Sequence, residues 1–489
     1  MAVGEVEQQQ PLHILFFPFI AHGHLIPVAD MAMLFATRGV KCTILTTPGN
    51  ADVIRSGVNR ANAASRGNGI GAPEIYITLF PFPDVGLPAG VESIPTISGA
   101  NEMEKMSEAL TRFREPFERF LAEHHPDAVV SDSFFHWSAD VAAEHGIPRL
   151  AFLGSSLFAR ACNESMVRHN PMEASTDDVV SLPDLPHRVE LRRSQMMDPA
   201  KMEDEWAFLQ LVNAADQRSF GEVFNSFREM EPGYVEYYHT KLLRRAWLVG
   251  PVALAGNTAT PVDTRPGTDA ERCLRWLDEK APGSVVYICF GTLARLLPAE
   301  LTEVARALTL SGRNFLWIIT REDTDESEWM PEGFAELMAH DERGLIVRGW
   351  APQVLVLNHP AVGGFVTHCG WNSMLEAVSA GVPMVTWPRY TDQFFNEKLI
   401  VEILKVGVGV GANEFASFMD DRSQVICGEV IGDAIERVMG EDGEGKTIRE
   451  KVKELSKKAR SAVQEGRSSY NDVGRLLNEL MARRSFAMA

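Results

Sequence analysis

Ten consecutive residues, Thr367-His-Cys-Gly-Trp-Asn-Ser-Met-Leu-Glu376, gather groups that suit a bound diphosphate. They begin where an apolar run of strand length, Gly363–Thr367, ends. Gly370 allows a tight turn, and Asn372 and Ser373 are N-cap residue types, so a helix is expected from there to Ala380. Gly381 and Pro383 then stop it. A helix N-terminus offers free N–H groups and a partial positive charge to an anion. His368 is placed to add a donor. Glu376, about one turn on, can accept hydrogen bonds from two vicinal ribose hydroxyls. A plain strand-to-helix turn with a capping Asn and a buried Trp accounts for the same residues, and spacing alone does not choose between the two.

A second candidate is His24, between the apolar run His13–Phe19 and a helical pattern over Val28–Thr37. A lone histidine is more often structural than functional. Its place after a parallel strand favours a site, because open parallel sheets bind ligands at the carboxyl ends of their strands.

The elements that must position these residues follow two separate β-α-β series. In the first, His13–Phe19, a loop with Gly23, the helix Val28–Thr37, a cap at Gly39 and the strand Val40–Thr46 form one unit. Strands at Asp127–Ser131 and Arg149–Leu153 continue it. The second has strands at Ser284–Phe290, Asn314–Thr320, Gly344–Arg348, Gly363–Thr367 and Val382–Trp387, with a helix over Pro298–Leu310. Both read as parallel sheets flanked by helices, an α/β class. Pro251–Thr268, rich in Pro, Gly and Thr and without apolar period, reads as a linker between domains 1–250 and 269–489. Gly57–Gly71 and Arg321–Glu328 read as surface loops, and Thr447–Arg484 as charged helix.

Composition narrows the partners. The chain has 66 acidic and 47 basic residues, a formal net charge of -19, which disfavours nucleic acid and anionic lipid surfaces. The most apolar stretch, His13–Phe35, is broken by histidines, Asp30, prolines and glycine, so no integral membrane segment is expected. The N-terminus lacks the basic and apolar regions of a signal peptide. Six scattered cysteines without a CxxC pair suggest neither a zinc cluster nor a thioredoxin-type site, and fit the reducing cytoplasm.

Two patterns compete for attention. Gly407-Val-Gly-Val-Gly411 partly fits a dinucleotide fingerprint, but it is itself extended and apolar and reads better as a strand. Asp323-Thr-Asp325 resembles the Asp-x-Asp element of metal-dependent sugar transferases. It lies in an acidic run, Arg321–Glu328, and reads as a solvated loop. No metal site is expected.

The unbroken segment Trp350-Ala-Pro-Gln-Val through Tyr390-Thr-Asp-Gln393 closely resembles the nucleotide-sugar signature of plant family-one UDP-glycosyltransferases. His24-Leu-Ile-Pro27, Phe290-Gly-Thr292 and the linker also fall where that family has them. The resemblance implies two facing Rossmann-like domains, the GT-B arrangement, with the last helix crossing back over Tyr470–Arg484. By similarity Trp350 stacks on uracil and the Ala351 backbone reads the base edge. Gln353 and Glu376 would contact ribose, and Thr292, His368, Asn372 and Ser373 the diphosphate. Trp371, Asp392 and Gln393 would contact the sugar, with the final Gln favouring glucose. His24 is implied as general base and Asp132 as its acidic partner. Imidazole titrates in the right range to take a hydroxyl proton, and a carboxylate on its far nitrogen fixes the tautomer. His22 reads as loop or acceptor-pocket lining.

The expected reaction is inverting transfer of glucose from UDP-glucose, with no further cofactor, to a hydroxyl of a small apolar acceptor: a flavonoid, terpenoid, steroid or phenol of plant secondary metabolism. The acceptor pocket is expected from Phe82–Val91, Ser133–Trp137, Ser155–Arg160 and Leu191–Leu211. A monomer is expected. A UDP-sugar epimerase or hydrolase, or a non-catalytic UDP-sugar binder, is the alternative on the same fold.

Overall fold

A computed structural model describes residues 10–67, 73–174, 177–255, 270–320, 325–390, 392–415 and 424–488. Near-continuous apolar runs form the strands because both faces of a helix-covered parallel sheet are dry. The first sheet contains β1 (His13–Phe17), β2 (Lys41–Thr46), β3 (Ile75–Leu79), β4 (Ala128–Asp132) and β5 (Arg149–Phe152). A two-stranded antiparallel ribbon, β6 (Val179–Ser181) and β7 (Glu190–Arg192), interrupts the series. The sheet resumes with β8 (Gly221–Phe224) and β9 (Ala246–Leu248), giving the order β3-β2-β1-β4-β5-β8-β9 with all pairs parallel.

The second sheet contains β10 (Val285–Cys289), β11 (Asn314–Ile319), β12 (Gly344–Arg348), β13 (Val362–Thr367), β14 (Met384–Thr386) and β15 (Gly407–Gly409). Its order is β12-β11-β10-β13-β14-β15, again all parallel. The Gly407–Gly409 run is therefore a strand, as its extended apolar character suggests. In each sheet the order reverses beside the first strand, between β1 and β4 and between β10 and β13. Loops leaving neighbouring strands in opposite directions open a crevice at such switch points. His24 and Asp132 lie at the first, Thr292 and His368 at the second.

Four local expectations need correction. The first helix begins at His22, six residues before Val28, and carries Pro27 inside it. Gly57–Gly71 is not a loop as far as it is described: Pro48–Gly67 is a helix, whose buried Ile54 and Val58 pack on the first core, and residues 68–71 lie outside the described residues. Proline suits a first helical position, and the internal Gly49 and Gly57 do not outweigh that apolar face. Glu326–Trp329 is a short helix capped by the Asp325 side chain, while Asp323 lies outside the described residues. The C-terminal stretch is two helices, Gly443–Ala462 and Ser468–Met488, parted at a turn where Gly466 takes φ +78°. Of the expected linker, residues 256–268 lie outside the described residues. Val252–Ala255 is a helical turn with Val252 buried in the first core.

The last helix packs on β9, and Val473, Leu476, Leu477 and Leu480 join the core of the first sheet. The Arg38 guanidinium lies 3.3 Å from the Tyr470 ring centroid. Among the described residues no helix is long and apolar enough to cross a membrane. Leu476→Ala removes a fully buried side chain. It is expected to destabilise the fold by roughly 2–5 kcal/mol in urea unfolding. An unchanged midpoint would mean the chain's end does not help hold the first core.

Candidate active site

The first helix starts four residues after β1, which sets His24 in its first turn. Asp132 ends β4, the neighbour of β1, so the two side chains meet across the switch point. His24 Nδ1 lies 2.7 Å from Asp132 Oδ2, and Asp132 Oδ1 accepts the Phe134 N–H at 3.0 Å. An ionised carboxylate only accepts, so Nδ1 carries the proton and Nε2 is left basic. Phe19 meets the imidazole edge-on and Phe134 lies tilted over it. Gly154, at φ +72°, supports the ring from another side, and a Cβ there would come within 3.1 Å of it. Burial pulls the His24 pKa down. The charge and hydrogen bond of Asp132, helped by Asp392, outweigh it, so the pKa is raised above 6.5.

The facing wall comes from the second sheet. Trp350 follows β12 and meets the His22 ring edge-on, with centroids 5.8 Å apart. His22 thus contacts the expected uracil-stacking residue. Gln353 Nε2 donates to Ser373 Oγ at 2.9 Å and to Glu376 Oε2 at 2.8 Å, which joins both expected ribose contacts. Burial pushes the Glu376 pKa up to about 7, and the Asp30 carboxylate across the cleft adds to the rise while Gln353 opposes it. Ala351 is buried with its carbonyl accepting the Gln353 N–H.

His368 follows β13 and packs tightly on Gly291, where a Cβ would come within 2.6 Å of its ring. Gly291 has φ +74° and precedes Thr292, which lines the same cavity. Burial, and then the charge of Arg389, lower the His368 pKa to about 4. It is therefore a neutral donor and not a cation.

The cap of the following helix differs from expectation. Gly370 is the N-cap, without a side-chain bond, and the helix runs from Trp371 to Ala380. Cys369 takes φ +65°, which turns the chain one step earlier than an Asn372 cap requires. The first helical bond is Met374 N–H to the Gly370 carbonyl. The N–H groups of Trp371, Asn372 and Ser373 are thus left at the open end of the helix. The Asn372 side chain donates across the cleft to the Gly23 carbonyl. The Trp371 indole is buried and donates to the Asn225 carbonyl at 2.8 Å, so only the Trp371 backbone N–H is placed for a sugar or phosphate.

Asp392 accepts from Ser155 Oγ and from Asn396 Nδ2. Gln393 Oε1 accepts the N–H groups of Arg389 and Tyr390, which fixes its carboxamide.

One cavity of about 1730 Å³ borders every expected site residue except the deeply set Asp132. Its apolar wall includes Phe19, Met103, Phe134, Met196, Phe208 and Leu293. Ser133–Trp137 and Leu191–Leu211 contribute as expected, and Ser155 does for its segment. Phe82–Val91 does not line it: Phe82, Leu87 and Val91 pack on the core beneath, and the helix Ala100–Arg112 takes that place. Two polar residues escaped sequence reasoning, Asp30, whose pKa burial raises to about 7, and Asn225, and Ser155 was expected as pocket lining but not as the partner of Asp392. An acid inside an apolar helix was the available signal for Asp30. Nothing local marked Asn225 or the Ser155–Asp392 bond.

The chain is similar to known sugar transferases. The family model described as UDP-glucoronosyl and UDP-glucosyl transferase matches residues 119–422. An anthocyanin 3'-O-beta-glucosyltransferase of Gentiana triflora is 42% identical, over 96% of this chain and 98% of its own. A scopoletin glucosyltransferase of Nicotiana tabacum is 43% identical over the same shares. The crystal structure of Glycyrrhiza uralensis UGT73P12, complexed with glycyrrhetinic acid 3-O-monoglucuronide, superposes with a TM-score of 0.90 at 35% identity. It covers 98% of this chain and 97% of its own.

Asp132→Asn removes the charge that holds the His24 pKa up. The pKa of the His24 ring, followed by NMR titration, is expected to fall below its value in the unaltered protein. Equal values in the two proteins would dismiss Asp132 as its electrostatic partner.

Proposed function

The chain belongs to the UDP-glucoronosyl and UDP-glucosyl transferase family and is a UDP-dependent glycosyltransferase of the GT-B fold, and from this we propose that it transfers glucose from UDP-glucose, with inversion, to a hydroxyl of a small apolar acceptor. The observation that carries the finer reading is the 2.7 Å bond between His24 and Asp132 on the wall of a cavity that Trp350, His368 and Glu376 also border.

In this reading the acceptor oxygen attacks the anomeric carbon as its proton passes to His24 Nε2. The bond from that carbon to the diphosphate breaks, and UDP leaves on the opposite face. Asp132 stabilises the imidazolium that forms. The open N–H groups of Trp371, Asn372 and Ser373, with neutral His368 and Thr292, receive the charge growing on the diphosphate. These donors supply the stabilisation, so the reading calls for no metal and no cofactor beyond the donor. Trp350 stacks on uracil, the Ala351 backbone meets its edge, and Gln353 and Glu376 hold ribose. Asp392 and Gln393 hold the sugar hydroxyls, with the fixed Gln393 carboxamide selecting glucose.

The acceptor is a flavonoid, terpenoid, steroid or other phenol. Aromatic rings supply flat apolar area, and the methionines Met103, Met196, Met197 and Met202 adapt to differing outlines. The cleft is complete within one chain, which supports a monomer. Cysteines free of disulfides support a cytoplasmic site of action.

His24→Ala is expected to lower kcat by roughly 10²–10⁴-fold while UDP still binds. In the unaltered enzyme kcat/KM should fall on acidification through the raised His24 pKa, because only the neutral ring accepts a proton. UDP release, measured with and without a panel of phenols, terpenoids and sterols, should require an acceptor. Release without any acceptor would point to hydrolysis, and no release with any of them would remove transfer to these classes.

A further inference from the structure

Pro27 stands at the sixth position of the helix His22–Ala36, inside it and buried. A proline in a helix interior is strongly disfavoured, because it lacks the N–H that would bond to the carbonyl four residues back. The ladder makes the consequence specific. The Leu25 N–H bonds to the Ala21 carbonyl, and residue 27 would bond to the carbonyl of Gly23. That oxygen instead accepts the side-chain amide of Asn372, from the first turn of the helix Trp371–Ala380. Gly23 is bonded directly to His24. Asn372 sits among the open N–H groups at that helix's N-terminus. The contact therefore joins the turn that carries the base to the turn that faces the diphosphate.

We propose that Pro27 is a positioning residue: by withholding an N–H from the Gly23 carbonyl, it reserves that oxygen for Asn372 and so registers His24 against the donor-binding helix. The Asn372 amide is further held by Asn225, whose Nδ2 lies 3.4 Å from Asn372 Oδ1. With any other residue at position 27 the helix would complete its own ladder. The Gly23 oxygen would then be shared, and the two halves would lose a fixed point beside the chemistry. This inference rests on the reading of His24 as the base.

The test compares the full-length protein with Pro27→Ala, Asn372→Ala and the double variant. Melting temperature, UDP affinity by calorimetry, and kcat with UDP-glucose and a saturating phenol are measured for each. Pro27→Ala restores a helical N–H, so its melting temperature should equal or exceed that of the unaltered protein. Its UDP affinity should be unchanged, since the nucleotide is held by the second half. Its kcat should fall by about 10- to 100-fold, the scale of a small misplacement of reacting groups. In the Asn372→Ala background the same change should leave kcat unaltered, because the partner is already gone.

An unaltered kcat in Pro27→Ala, an equal loss in both backgrounds, or a loss accompanied by a lower melting temperature would each overturn the proposal. His24→Ala serves as the reference. If it stays active, the assignment of the base fails. If it is inactive while Pro27→Ala turns over normally, only the positioning role fails.

Discussion

A carboxylate taken out of water must find partners or give up its charge, and Asp132 is such a group. Its side chain is fully buried at the end of β4. Leaving it unpaired would cost several kcal/mol. One oxygen is satisfied by the Phe134 N–H and the other by the His24 ring. The imidazole is therefore held where the carboxylate needs it, at the mouth of the crevice between β1 and β4. Much of the local structure follows. The helix has to begin at His22 to bring His24 within reach. Gly154, at φ +72°, lets the ring approach closely, and a Cβ there would press on it at 3.1 Å. Phe19 and Phe134 complete a wall that leaves only one edge of the imidazole toward the cavity.

The facing wall solves a different problem. In a chain with net charge -19, the proposed reading holds a dianionic diphosphate with no lysine or arginine among the implied donors. Distant charges are damped beyond a Debye length of about 10 Å, so groups in contact decide the local potential. In that reading those groups are partial charges: backbone N–H ends of one helix and a histidine kept neutral by its burial. Such donors cost no counter-charge when the site is empty. Glu376 is kept close to its proton by burial and by Asp30, which lessens the penalty of setting two carboxylates in one cleft.

The pairing of the halves is as local as the sites themselves. Asn372 reaches the Gly23 carbonyl, Trp371 the Asn225 carbonyl, and Ser155 the Asp392 carboxylate. Several residues that resemble donor contacts are thus also the struts of the cleft. In the proposed reading, binding and alignment fall to the same few residues.

What the sequence determined by itself was whatever depends on short spacing. Apolar runs marked the strands, the two β-α-β series marked two parallel sheets, and the segment Trp350–Gln393 carried the resemblance to the family. Each is set by backbone propensities and by which faces are dry, and these are written within a few turns of chain. The start of the first helix was missed because Pro27 was expected outside it, and proline's cost is a local rule that a cross-cleft partner overrides. The cap moved from Asn372 to Gly370 because the left-handed turn at Cys369 was not visible in residue types. The roles of Asp30, Ser155 and Asn225, and the replacement of Phe82–Val91 by the helix Ala100–Arg112, were decided only by tertiary structure. They depend on where two sheets and their helices come to rest against one another, and that is settled by the packing of side chains hundreds of residues apart.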